Sequence, residues 1–137
     1  MIMIIVPFMI KLTAQRQTIL DLINRSNNHW DADEVARALA DSGHAIGIAT
    51  IYRGLAALES QGLIESIQLA DKKRFERADK AHHDHMICTE CGTIKEFSHQ
   101  TIEKLQQTEA EKNGFRLTGH QLIMFGLCSA CAKGSPV

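Results

Sequence analysis

No stretch of this chain is long and apolar enough to cross a bilayer. The one apolar run, Met1 to Ile10, has Pro7 inside it and no basic residue ahead of it, and it is well short of the about 20 residues a spanning helix needs. It is expected to pack on a core or a partner, or to reflect in part an upstream start codon, and no membrane contact is expected. A secretory leader with a charged start and a small-residue cleavage site is missing too, which points to a reducing cytoplasm and disfavours disulfides. Charge of one sign is equally absent: 15 Lys and Arg face 16 Asp and Glu, a net charge of -1. Divided after Lys80, the chain carries ten basic and ten acidic residues in the first part, five and six in the second. Any contact with a polyanion must therefore come from local patches. There is no serine-nucleophile motif and no phosphate-binding glycine loop. Neither cysteine pair follows a proline, and the histidines occur as His-x-His, whereas zinc deaminases use His-x-Glu with Pro-Cys-x-x-Cys. A zinc hydrolase or deaminase is thus the competing class, and an enzyme is not the expectation.

What the chain does have is metal-ligand chemistry. Its 137 residues, 45% of them hydrophobic, suffice for one ordinary domain or two small ones. The only four cysteines form two matched pairs, Cys88-x-x-Cys91 and Cys128-x-x-Cys131, at the spacing by which adjacent thiolates grip one tetrahedral ion. A four-thiolate zinc clasp is the natural reading, with Gly92 closing the first turn. Disulfides, buried unligated cysteines and a thioredoxin-type redox pair are the alternatives. Such a clasp staples the end of the chain onto a strand and contributes to folding rather than to chemistry.

Just before the first pair stand His82, His83, Asp84 and His85. The apolar continuation Met86-Ile87 predicts a strand over His82 to Cys88, in which alternate side chains face opposite sides. His83 and His85 then point one way, His82 and Asp84 the other. One segment can so feed two further sites with nitrogen and oxygen donors, the mixture that suits divalent iron, manganese, zinc or cobalt. A solvated polar strand is the bland alternative.

The first eighty residues read as three helices and a hairpin. From Thr13 to Asn24 the apolar Ala14, Ile19, Leu20, Leu22 and Ile23 share a face, with Thr13 as N-cap. Asp31-x-x-Glu34 opens a second helix in capping-box fashion, Val35, Ala38 and Leu39 form its stripe, and Gly43 stops it. Ile48, Ile51, Leu55 and Leu58 mark a third helix from about Gly47 to Ser60, ended by Gly62, leaving Thr50, Tyr52 and Arg53 on other faces. Leu63 to Leu69 alternates as a strand, Asp71-Lys72-Lys73 turns, and Arg74 to Arg77 returns. This is the layout of a winged helix-turn-helix, whose last helix enters the major groove while the wing touches backbone. Thr50, Tyr52 and Arg53, with Arg16 and the wing residues Lys72, Lys73, Arg74 and Arg77, are the candidate DNA contacts. A three-helix protein-interaction domain with a charged turn is the alternative. The remainder, from about Asp84, reads strand, strand, helix, strand: the histidine-bearing strand, then Thr93 to Phe97, Ile102 to Asn113, and Gln121 to Leu127. So small a sheet buries little alone, and Leu122-Ile123-Met124-Phe125 is expected to complete a dimer core, with the two-fold symmetry that suits a palindromic operator.

Ile46-Gly-Ile-Ala-Thr-Ile-Tyr-Arg53, His82-His-Asp-His85 and Cys88-x-x-Cys-Gly92, in this order and separation, make the chain resemble the ferric-uptake-regulator family of metal-sensing bacterial repressors from about Leu12 to Cys131. The resemblance implies an α+β protein: an N-terminal winged-helix DNA-binding domain, 1–80, and a small αβ metal-binding dimerisation domain, 81–137. It implies repression when a corepressor metal is bound, with double-stranded operator DNA and a second copy of the chain as partners, in dimers or higher assemblies. Carried over by position, the structural zinc falls on Cys88, Cys91, Cys128 and Cys131. The regulatory site bridging the domains falls on His29, Glu76, His83 and His85, with Glu96 as a further oxygen donor. An additional site falls on His82, Asp84, Glu103 and His120. His44 and His99 match no ligand position and read as ordinary surface histidines.

The peroxide-sensing branch, as the resemblance has it, carries aspartates where Glu76 and Glu96 stand, and the zinc-sensing branch typically lacks the full His-His-Asp-His run. Fe2+ is therefore the expected corepressor ahead of Mn2+, Zn2+ or Co2+, although such donors bind later first-row ions more tightly than iron. A zinc, manganese or peroxide sensor of the same family is the alternative, as is a storage or interaction module without DNA binding, against which Tyr52, Arg53 and the basic wing argue. Gly54 departs from a good helix sequence, costing about 1 kcal/mol relative to alanine, and is expected to alter the groove fit. The wing's charge predicts that DNA affinity falls steeply with salt; replacing Lys72 and Lys73 together by alanine is expected to flatten the slope of log affinity against log salt, and an unchanged slope would remove the wing from the interface.

Overall fold

The computed structural model of the chain describes residues 12–69 and 71–133; the apolar start, Met1 to Ile10, lies outside them. The chain divides into two compact units, Met1–Asp79 and Lys80–Val137. It is an α+β protein, three helices and a hairpin followed by a small mixed sheet with helices.

In the first unit, α1 (Ala14–Asn24) begins where the Thr13 hydroxyl accepts from the Arg16 N–H at 3.1 Å. α2 (Ala32–Asp41) opens with a full capping box: Asp31 Oδ1 accepts from the Glu34 N–H, and Glu34 Oε1 from the Asp31 N–H, both at 2.8 Å. α3 (Ile48–Ser60) starts at Gly47 without a side-chain cap. Their apolar faces meet in one core of Ile19, Leu20, Ile23, Ala32, Val35, Leu39, Ile51, Leu55 and Leu58, closed by Ile64 and Phe75 from the hairpin.

Two expectations for α3 are corrected here. Ile48 is 44% exposed, because it sits in the first turn, ahead of the stretch that α1 and α2 cover; the buried stripe is Ile51, Gly54, Leu55 and Leu58. Gly54 consequently faces the core rather than a groove in DNA. A Cβ built there would stand 2.9 Å from Ile19 Cδ1, so the glycine allows α1 and α3 to pack closely, which offsets its low helix propensity.

The hairpin pairs β1 (Ile64–Gln68) with β2 (Lys73–Arg77) from Ile64↔Arg77 to Gln68↔Lys73. Lys73, expected in the turn, is therefore a strand residue. Trp30 adds a single bridge to Phe75, with N–H to O distances of 2.8 and 2.7 Å. That bridge ties the entry of α2 to the wing.

In the second unit, β3 (Asp84–Cys88) runs between β4 (Ile94–Phe97), antiparallel to it, and β5 (Ile123–Gly126), parallel to it. α4 (Gln100–Lys112) makes the crossover and α5 (Ser129–Lys133) follows β5. The strand begins at Asp84 and not at His82. His99, read as an ordinary surface histidine, is the N-cap of α4, accepting from the Thr101 N–H at 3.2 Å. Among the described residues of the second unit, Ile87, Cys88 and Ala110 are the buried apolar ones, while Met86, Leu105, Phe115, Met124, Phe125 and Leu127 are exposed.

Asp31 also accepts from Lys72 Nζ at 2.9 Å. Burial works to raise its carboxyl, but the Glu34 N–H and then Lys72 outweigh it and hold it below the usual carboxylate value. Its contribution is thus complete above the ordinary range of a free aspartate and is lost as pH falls through the lowered folded value. Asp31→Ala is expected to cost about 1 kcal/mol at neutral pH and to remove that part of the acid sensitivity; urea denaturation at neutral and acidic pH measures both.

Candidate metal centres and nucleic-acid interface

The sulfur cluster is built by two turns. Cys88 ends β3, and the chain reverses through Gly92, whose φ of 79° lies in the left-handed region that favours glycine. The Gly92 N–H reaches the Cys88 carbonyl at 2.9 Å, and the Cys91 N–H points at Cys88 Sγ at 3.4 Å. Parallel pairing of Cys88 with Gly126 brings Cys128 alongside, and α5 carries Cys131. The four sulfurs lie within 4.8 Å of one another, with Cys91 Sγ and Cys128 Sγ 3.8 Å apart. A Zn–S bond of about 2.3 Å implies a tetrahedral edge of about 3.8 Å.

All four are free thiols. The Cys91 N–H, assisted by those of Cys128 and Glu90, pulls the Cys88 thiol down to about 6. Cys131 is pushed up to about 12, first by Cys128 and then by Cys88. One thiolate is easily formed, but four crowded ones need a cation, so the donor set fits Zn2+.

The nitrogen and oxygen donors of the second unit fall on two faces of β3. On one, His82 Nε2 and His120 Nε2 are 3.0 Å apart, and Asp84 Oδ1 stands 3.5 and 3.4 Å from them. Glu103, in the first turn of α4, adds Oε1 at 3.5 Å from His82 and Oε2 at 3.2 Å from His120. Bonds of about 2.0–2.1 Å from a tetrahedral ion to N or O give edges of about 3.3 Å, so these separations suit a first-row divalent cation. Asp84 is 1% exposed, yet neither of its oxygens has a hydrogen-bond partner among the described residues. A buried carboxylate left so is costly, and a cation among the four donors removes the penalty.

On the other face, His83 and His85 lie two residues apart with ring centroids 4.6 Å from each other. His85 is the register partner of Glu96 on β4, and His83 Nε2 is 3.7 Å from Glu96 Oε2. That same oxygen accepts from Lys80 Nζ. In the first unit the Trp30–Phe75 bridge sets His29 beside Glu76 in the adjoining register, with Nε2 3.4 Å from Oε1, Glu76 buried and His29 half-buried.

The candidate DNA contacts all belong to the first unit. Tyr52 and Arg53 are exposed on α3, and Arg53 donates to Thr50 Oγ1 at 3.3 Å. The stem of Arg16 runs along α3, with Cγ 3.7 Å from the position a Cβ of Gly54 would take. Lys73 Nζ is 3.0 Å from Glu59 Oε1, as Lys72 is engaged by Asp31, and Arg77 is forked onto Asp79. The half-buried Arg74 carries an Nε without a hydrogen-bond partner among the described residues. Sequence reasoning missed the carboxylates that hold the wing lysines, Asp31 and Glu59, and the lysine that holds Glu96. A contact far apart in the chain leaves no periodic trace.

Comparison with known proteins agrees with this arrangement: the ferric uptake regulator family matches residues 9–125. The chain belongs to the ferric uptake regulator family. Among its relatives, the ferric uptake regulation protein of Bordetella parapertussis is 43% identical over 127 residues, covering 91% of each chain. The ferric uptake regulator of Francisella tularensis, solved with iron, superimposes with a TM-score of 0.84 at 35% identity, covering 91% of this chain and 96% of that one. That of Helicobacter pylori, described as having three functional metal binding sites, gives 0.84 at 31% identity over 93% and 86%. The three helices and hairpin of the first unit are thus the winged helix-turn-helix of the family, and the second unit is its small αβ domain.

Cys88→Ser or Cys128→Ser is expected to release zinc from the purified protein and to open the second unit to trypsin at Lys95 and Lys104, while emission from Trp30, in the first unit, stays unchanged. A stable, protease-resistant second unit without zinc would contradict a structural clasp.

Proposed function

We propose that the chain is a metal-dependent transcriptional repressor of iron-uptake genes, acting in the cytoplasm as a homodimer on double-stranded operator DNA, with Fe2+ as corepressor. The observation that carries the reading is the pairing of half-buried His29 with buried Glu76 on the wing side of a DNA-binding unit. Metal donors built into that unit make DNA-binding geometry answer to metal occupancy. The zinc of the four cysteines is structural, since four protein ligands leave no open position for catalysis. No helix among the described residues is long and apolar enough to cross a membrane.

In this mechanism His29 and Glu76 of the DNA-binding unit act with His83, His85 and Glu96 of the second. A divalent ion supplies the attraction that holds imidazole and carboxylate donors in one arrangement. With donors drawn from both units, that arrangement selects one angle between them, and hence the spacing of the two α3 helices in a dimer. His82, Asp84, Glu103 and His120 bind a further cation within the second unit and stiffen its open sheet. Exposed Met124, Phe125 and Leu127 on β5 and the turn after it supply apolar surface for the second copy. On the DNA, Tyr52, Arg53 and Thr50 read the major groove. Arg16, Arg74 and the wing lysines meet phosphates, the lysines exchanging Asp31 and Glu59 for them.

Operator binding by zinc-loaded protein, titrated anaerobically with Fe2+, Mn2+, Co2+ and Zn2+ at buffered free concentrations, tests this. Binding is expected to require one of these ions beyond the structural zinc, with Fe2+ effective in the range a cell maintains. The His83→Ala, His85→Ala double variant is expected to lose that response while keeping its cysteine-bound zinc. Undiminished metal-dependent binding by the variant overturns the regulatory assignment, and a response to none of the ions favours a storage or interaction module.

A further inference from the structure

Lys80 stands two positions ahead of the histidine run, and its ammonium sits on Glu96, a candidate metal donor. Lys80 Nζ donates to Glu96 Oε2, and its side chain is only 12% exposed. The oxygen it takes is the one turned toward the imidazoles, since His83 Nε2 lies 3.7 Å from that same Oε2. Glu96 is itself the register partner of His85. A cation of fixed charge therefore already stands where His83, His85 and Glu96 converge.

We propose that Lys80 is an internal competitor for the regulatory divalent cation, setting the free-metal concentration at which the site fills. The inference rests on the proposed assignment of Glu96 as a regulatory ligand. In the metal-free protein the ammonium neutralises Glu96 and spares it an unpaired, partly buried charge. When a dication arrives, Glu96 Oε2 must exchange the lysine for the metal, and the ammonium must either remain beside a like charge or withdraw. Its four-carbon stem permits withdrawal, because lysine is a flexible point charge. Both routes weaken binding relative to a neutral side chain at this position, so affinity is tuned without changing a ligand. The opposite role, a lysine that orients Glu96 for coordination, would need it to hold the oxygen turned away from His83.

The test measures Co2+ binding to full-length, zinc-loaded protein by its visible absorption against a competing chelator. Every variant carries His120→Ala, so that the cation site of His82, Asp84 and Glu103 does not contribute, and thermal unfolding verifies that each variant folds. Lys80→Gln is expected to bind Co2+ at least tenfold more tightly with the same spectrum, and Lys80→Arg, which keeps the charge, to match the parent. Unchanged or weaker binding in Lys80→Gln overturns the competitor role. Glu96→Gln separates the two layers of the argument: a changed spectrum with weaker binding supports Glu96 as a donor whatever Lys80 does, whereas an unaltered spectrum and affinity overturn both the assignment and the inference.

Discussion

The second unit has clusters of metal-type donors where a larger domain would have a core. Its buried apolar residues are Ile87, Cys88 and Ala110, whereas Asp84 and His85 are as deeply buried. A three-stranded sheet with one crossover helix and so little apolar burial is marginal alone. Its distant segments meet at clustered donors: Cys88 and Cys91 with Cys128 and Cys131, and His82 and Asp84 with Glu103 and His120. Both sets contain groups that a cation would satisfy together, four thiols in one and, in the other, a buried carboxylate without a hydrogen-bond partner among the described residues. Metal binding here is folding free energy as much as it is a signal.

The first unit is made the other way. A continuous core from three helices and the hairpin needs no ion, and its first two helices are capped by the side chains of Thr13 and Asp31. Its close α1–α3 packing at Gly54 keeps α3 firmly seated, so that Tyr52 and Arg53 are presented by a rigid element. The wing is tethered as well, by the Trp30–Phe75 bridge and by Asp31 and Glu59 on Lys72 and Lys73. The bridge that steadies the wing also sets His29 against Glu76, so the candidate metal donors and the candidate DNA-contacting elements share one support.

The helices were legible because their signals are local. The Asp31–Glu34 capping box, the Thr13 cap and the spacing of Ile51, Leu55 and Leu58 need only a few consecutive residues to act. Errors arose where neighbours elsewhere in the fold decide. Ile48 continues the apolar spacing yet finds nothing to cover it, Gly54 looks unfavourable until Ile19 is seen against it, and His99 becomes a cap only once the chain turns into α4. Alternation grouped His82 with Asp84 and His83 with His85, and the side chains of each pair lie close together although only Asp84 and His85 belong to the strand.

The sequence by itself determined which atoms are available to a metal and how neighbouring ones divide: two Cys-x-x-Cys pairs, and a histidine run split by strand period. These follow from backbone geometry over a few residues. Tertiary structure alone decided which charged groups answer one another: Lys72 with Asp31, Lys73 with Glu59, and Lys80 with Glu96. Long, flexible side chains meet partners 14 to 41 residues away, and such meetings depend on how the chain closes on itself, which no local period records.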